Sequence, residues 1–261
     1  MEDGKELQLV DCFARDATVG EREVAVSWHL GGEPVPEPAP RRALWPETDR
    51  RDDLADLAAV AEAARDCRRC KLGGIRKNAV PGEGPADSAI MFIGEGPGYH
   101  ENEQGKPFVG QAGKFLDELL AAGGLARKNV YITNVIKCRP PGNRDPEPTE
   151  LAACRRYLDQ QIRLINPKVI VTLGRFSMAT FVENGRISQI HGKTHAVNGK
   201  TVVTMYHPAA ALHQPALKGT LLKDFSHLRD LLNPANAIPK EAAVKEQKEP
   251  ESNSPEQLSL F

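Results

Sequence analysis

Residues 89–98 read Ala-Ile-Met-Phe-Ile-Gly-Glu-Gly-Pro-Gly, an apolar run that breaks abruptly into a glycine-rich turn carrying one carboxylate, Glu95. A short continuous apolar run bounded by Gly and Pro predicts a strand buried on both faces. Three further runs rich in β-branched residues follow at 130–135, 169–173 and 201–205. Stretches of helical periodicity lie between them. Residues 111–122 bring Ala112, Phe115, Leu116, Leu119 and Leu120 to one face, and 149–165 carry Leu151, Leu158, Ile162 and Ile165. Residues 174–182 and 217–232 also read as helices, and 52–66 reads as a leading helix with Asp52 or Asp53 at its N-terminus. Strands alternating with helices predict an α/β fold, a three-layer αβα sandwich around a central, mainly parallel four-stranded sheet.

Composition changes at two places and divides the chain of 261 residues into three parts. Residues 1–51 are polar and punctuated by Pro34, Pro36, Pro38, Pro40 and Pro46, which predicts a mobile arm or linker, although Val24 to Trp28 could pair as a short strand. Residues 52–233 form the folded domain, and 234–261 read as a disordered tail. The net charge of -1 at first excludes a strongly basic nucleic-acid binder. Divided at residues 51 and 240, however, it resolves into net -4, +5 and -2, so acidic ends flank a modestly basic domain. Arg68, Arg69, Lys71, Lys137, Arg139 and Arg144 are its candidate phosphate contacts. No run approaches the roughly 18 apolar residues of a membrane span, and the first residues lack a signal-peptide pattern, so a cytoplasmic protein is expected.

In a parallel sheet ligands lie beyond the carboxyl ends of the strands. The residues there are Gly94-Glu95-Gly96-Pro97-Gly98, Thr133-Asn134 and Tyr206-His207-Pro208, which supply a carboxylate, an amide and an imidazole. Each could be a simple turn residue; their shared placement favours a pocket. The glycine-rich turn is neither a phosphate-binding Walker loop nor a dinucleotide fingerprint, because the required spacings are missing. Five cysteines in a reducing compartment favour metal binding or chemistry over disulfides. Cys67 and Cys70 form a C-x2-C pair closing the leading helix, and Cys138 and Cys154 lie downstream; together they could hold zinc or an iron-sulfur cluster, with Cys12 left free in the arm.

Several longer strings share one order: GEGPG at 94–98, GKPFVGQAG at 105–113, TNVIKCRPP at 133–141 and HPAA at 207–210. With the four cysteines, residues 54–232 resemble the family 4 uracil-DNA glycosylases. The resemblance implies removal of uracil from DNA by hydrolysis of its bond to deoxyribose. It implies Phe108 stacking on the flipped base, Asn134 reading O4 and N3–H, and Glu101 crowding out the thymine methyl group. It further implies that His207 and the backbone N–H groups of the glycine turn at Gly96 and beyond stabilise the departing uracil, with Pro97 also among the substrate-binding residues, while Glu95 acts on water. It implies a [4Fe-4S] cluster, in preference to zinc, on Cys67, Cys70, Cys138 and Cys154. A related branch forms covalent adducts through a loop containing Arg and His; the corresponding residues here, 140–146, contain no histidine. The end of the chain, Gln257-Leu258-Ser259-Leu260-Phe261, resembles peptides that bind the bacterial sliding clamp, with Gln257, Leu258, Leu260 and Phe261 as anchors. The alternatives are a non-catalytic uracil- or DNA-binding protein on the same fold and a zinc-containing α/β nucleotide hydrolase. A monomer is expected by analogy.

Overall fold

A computed structural model describes residues 53–232. The arm, the short strand near Val24, Cys12, and the tail with its terminal peptide lie outside the described residues. The elements run α1 (Leu57–Asp66), α2 (Leu72–Ile75), β1 (Ile90–Gly94), α3 (Tyr99–Gln104), α4 (Gln111–Ala122), β2 (Tyr131–Asn134), α5 (Pro148–Ile165), β3 (Val169–Leu173), α6 (Arg175–Ala179), α7 (Ile187–Ile190), β4 (Thr194–Val197), β5 (Lys200–Met205), α8 (Pro208–His213) and α9 (Leu217–Leu232).

The sheet has the order β2-β1-β3-β5-β4, with β2, β1, β3 and β5 mutually parallel and β4 antiparallel at the edge. It therefore has five strands, one more than expected. The additional strand joins β5 through Asn198 and Gly199, whose φ values of 50° and 74° suit a tight hairpin turn. Every residue of β1, β2 and β3 is buried, so alternate side chains enter two cores. Ile90, Phe92, Val171 and Val203 pack against α4 and α9 through Leu116, Leu119, Leu221 and Phe225. Met91, Ile93, Ile170 and Val202 pack on the other face against Leu158 and Ile162 of α5. This is the expected three-layer sandwich.

Two boundaries differ from expectation. The cap of α1 is Asp56, whose carboxylate accepts from the Ala59 amide at 2.8 Å. Asp53 instead accepts from Gln160 of α5 at 3.0 Å. The helix expected over 174–182 is confined to Arg175–Ala179. Among the described residues no helix is long and apolar enough to cross a membrane.

Candidate active site

Because β1 and β2 are parallel and in register, Gly94 is the partner of Asn134. Pairing continues past both strand ends, where Val135 donates to the Gly94 carbonyl at 3.0 Å and Ile136 to that of Glu95 at 3.1 Å. A side chain at position 94 has no room, since a Cβ would lie 2.4 Å from Asn134 Oδ1 and 2.6 Å from the Phe108 ring. Glu95, Asn134 and His207, from the ends of β1, β2 and β5, line one pocket of about 450 Å³. Gly96, Pro97, Glu101 and Phe108 line the same pocket, so all seven expected site residues come together.

Asn134 is 1% exposed, and its Oδ1 has no hydrogen-bond partner. Buried polar atoms are nearly always paired, so an orphaned acceptor on a pocket wall indicates a place for a donor on a ligand. Phe108 is buried in the left-handed region at φ 50°, a conformation that costs a non-glycine residue on the order of 1–3 kcal/mol unless neighbours hold it. Glu101 does so. Its Oε1 accepts from the amides of Val109 and Gly110, both at 2.8 Å, and its Oε2 accepts from Gly98 at 3.1 Å. Glu101 is thus both a wall of the pocket and the clamp joining the Gly98 turn to the Phe108 loop.

The His207 ring lies against Phe108, with centroids 5.6 Å apart and planes inclined by 27°. Its Nδ1 accepts from the Ala209 amide at 3.1 Å, which puts the proton on Nε2. Burial pushes the imidazole pKa down to about 4, with the Glu101 charge acting against it, so the ring is a neutral donor at physiological pH. Gly174, at φ 91°, passes so close that a Cβ there would lie 3.0 Å from that of His207. Burial raises the Glu95 carboxyl pKa above its ordinary value; the Asp145 charge adds to this and Arg175 opposes it. Arg175 is itself paired with Asp145.

The four cysteines line a second, smaller cavity. Cys67 ends α1, Cys70 precedes α2, Cys138 follows β2 and Cys154 lies in α5. Their sulfurs receive hydrogen bonds from the Arg69 amide to Cys67 at 3.5 Å, Arg76 Nη1 to Cys138 at 3.3 Å and the Lys137 amide to Cys154 at 3.2 Å. Burial drives the free Cys154 thiol up to about 12 and raises that of Cys138. Unliganded, Cys138 and Cys154 would be neutral thiols. A set of four sulfurs with N–H donors and two buried or half-buried cations beside them fits an anionic metal-thiolate group.

Of the expected phosphate contacts, Lys137 requires correction. Lys137 is 1% exposed and donates to Thr133 Oγ1, the Asn134 carbonyl and Gln161 Oε1, each at 2.7 Å, so it cannot reach DNA. Arg144 is bidentate to Glu150 at 2.9 and 2.7 Å, Lys71 pairs with Glu147 at 2.6 Å, and Arg68 is tied to the Gly73 carbonyl at 2.9 Å. The sequence reading also missed Arg76, whose guanidinium joins Cys138 to the Cys67 carbonyl at 2.9 Å. It missed Asn143, with φ 55°, and Tyr99, both on the pocket wall.

A parallel sheet with a glycine turn, an amide and an imidazole gathered at its strand ends agrees with what comparison finds. The family model described as "Uracil DNA glycosylase superfamily" matches residues 81–232. Within it, the type-4 uracil-DNA glycosylase of Sulfurisphaera tokodaii is 48% identical over 188 residues, 68% of this chain and 86% of the relative. Those of Archaeoglobus fulgidus and Thermotoga maritima are 45% and 41% identical, over 68% and 70% of this chain and 94% and 96% of the relatives. The chain belongs to the type-4 uracil-DNA glycosylases.

Proposed function

We propose that this DNA-repair glycosylase flips uracil into the pocket of Asn134, Phe108 and His207 and hydrolyses its N-glycosidic bond, leaving an abasic site and free uracil. The observation that carries this reading is the unpaired, buried Oδ1 of Asn134. Uracil N3–H would donate to it, and the amide nitrogen would donate to O4; cytosine presents the reverse pattern and would leave buried polar groups unpaired. Phe108 stacks on the base, and Glu101 fixes the loop that presents it and closes the wall beside C5.

The C1′–N1 bond breaks with its electron pair going to uracil, and the sugar gains oxocarbenium character. His207 Nε2–H donates to the charge growing on O2, and the backbone N–H groups of the glycine turn at Gly96 and beyond add fixed dipoles there, Pro97 itself having no N–H to give. Glu95 orients or deprotonates the water that adds at C1′, and its charge favours the sugar cation. Incubation with single- and double-stranded uracil oligonucleotides followed by alkali should cut at uracil, and intact strands would refute the activity. Asn134→Asp should narrow the discrimination against cytosine; unchanged discrimination would remove Asn134 as the base reader.

Cys67, Cys70, Cys138 and Cys154 would hold a [4Fe-4S] cluster that is structural, joining α1, the segment after β2, and α5. A single zinc ion needs its sulfurs about 2.3 Å from one point. A [4Fe-4S] cluster is likewise held by four cysteine thiolates, so colour and metal content decide between the two. A brown protein with broad visible absorption and about four irons would support the cluster; a colourless, zinc-containing one would overturn it. The chain would act as a cytoplasmic monomer, with residues 52–233 as the catalytic domain, 1–51 as an arm and 234–261 as a tether. Gln257, Leu258, Leu260 and Phe261 would dock in the apolar groove of the sliding clamp, and equal retention of clamp by a chain lacking 257–261 would exclude this.

A further inference from the structure

Three large hydrophobic side chains stand exposed among the described residues, and two of them, Tyr99 (54% exposed) and Leu212 (49%), lie on the lip of the uracil pocket. Tyr99 opens α3 directly after the glycine turn. Its ring is nevertheless held. The Arg139 guanidinium lies 5.4 Å from its centroid, and the His100 ring meets it edge-on at 5.5 Å. Arg139 is anchored in turn, its Nε donating at 2.7 Å to Oδ1 of Asn143, another residue of the pocket wall. No described residue accepts from the terminal nitrogens of Arg139. An aromatic ring kept in place in solvent, with a cation on it that has spare donors, is suited to one base and its phosphate.

Resting on the reading of the pocket as a uracil site, we propose that Tyr99 and Arg139 form a shelf on which the nucleobase adjacent to the flipped uracil stacks, and that this shelf favours single-stranded substrate. In a duplex the neighbouring base stays paired and stacked on its far side within the helix, so it turns onto a protein ring far more readily when the strand is single. Arg139 meanwhile meets the phosphate between the two nucleotides.

The test compares wild type, Tyr99→Ala and Tyr99→Phe on single- and double-stranded uracil oligonucleotides, and on single strands whose neighbours to uracil are baseless tetrahydrofuran residues. Tyr99→Ala should raise KM on the intact single strand about tenfold, the size of one base–aromatic stack, with kcat little changed. Tyr99→Phe should restore it, and the loss on duplex should be several-fold smaller than on the single strand. On the baseless strand wild type and Tyr99→Ala should be equal. An unchanged KM, an equal loss on duplex, or a loss that persists without the neighbouring base would overturn the shelf. Excision of uracil by wild type from the intact strand tests the underlying activity separately.

Discussion

Asn134 and Lys137 lie three residues apart at the end of β2, and both are 1% exposed. They differ in what surrounds their polar atoms. Lys137 places all three ammonium protons on acceptors, two from the strand end and one from α5, whereas Asn134 Oδ1 has no partner. Burial lowers the Lys137 pKa to about 8, with the nearby sulfurs opposing it, and its saturated bonding leaves nothing for a ligand. The contrast separates a polar group that holds the structure together from one left free on a pocket wall, which burial alone does not do. Lys137 also donates to the Asn134 carbonyl, so the saturated group supports the backbone of the unsaturated one.

The largest expected effect is on the unsaturated side. His207→Ala removes the Nε2–H donor and should lower kcat about a hundred- to thousandfold, equivalent to about 3–4 kcal/mol, in single-turnover excision. A loss below tenfold would mean that the backbone alone stabilises the departing base. The same residue predicts a pH effect. Its folded pKa of about 4 lies below the ordinary 6.5, so the unfolded chain takes up the proton first as pH falls. Its contribution to stability is full above pH 6.5 and is lost between there and about 4, and the gap in urea midpoint between wild type and His207→Gln should therefore change between pH 7 and pH 5 in that direction. The rate profile should show no inflection near 6.5, because the donor stays neutral through that range.

On the saturated side the effect should be on stability. Lys137→Met keeps the volume but leaves the Asn134 carbonyl and Gln161 Oε1 without their donor, which should cost about 2–3 kcal/mol in urea unfolding. Unchanged stability would indicate that burying the ammonium costs as much as its three bonds return.

β1, β2 and β3 were legible because burial on both faces leaves a continuous apolar run. β4 was not, because its burial only alternates between exposed and intermediate, unlike that of β2 at the opposite edge. The Asn198-Gly199 pair was the available signal, a two-residue hairpin turn next to the recognised β5. The strand-end residues could be found because topology brings strand ends together whatever the intervening sequence. Arg76 could not, since it reaches Cys138 across 62 positions through a contact that has no local pattern. Lys137 was misread for a related reason. It sits near Arg139 and Arg144 in a basic segment, and only the packing of α5, through Cys154 and Gln161, takes it out of solvent.

The smallest effect sharpens the comparison at its edge, where a bond serves local structure alone. Asp56 is extended at φ -153°, and its side chain satisfies the Ala59 amide at the start of α1. Asp56→Ala should cost about 1 kcal/mol in urea unfolding. Turnover should not change, because α1 packs through Val60 and Ala64 into the cluster with Cys138 and Cys154 and contributes nothing to the uracil pocket. The helix is nonetheless tethered at its other end, where Cys67 is its C-terminal cap. If the thiolates hold Cys67 firmly, fraying at Asp56 stops within the first turn, and iron content should match wild type. A variant that loses iron along with stability would show that the cysteine site depends on α1 being formed, rather than α1 depending on the site.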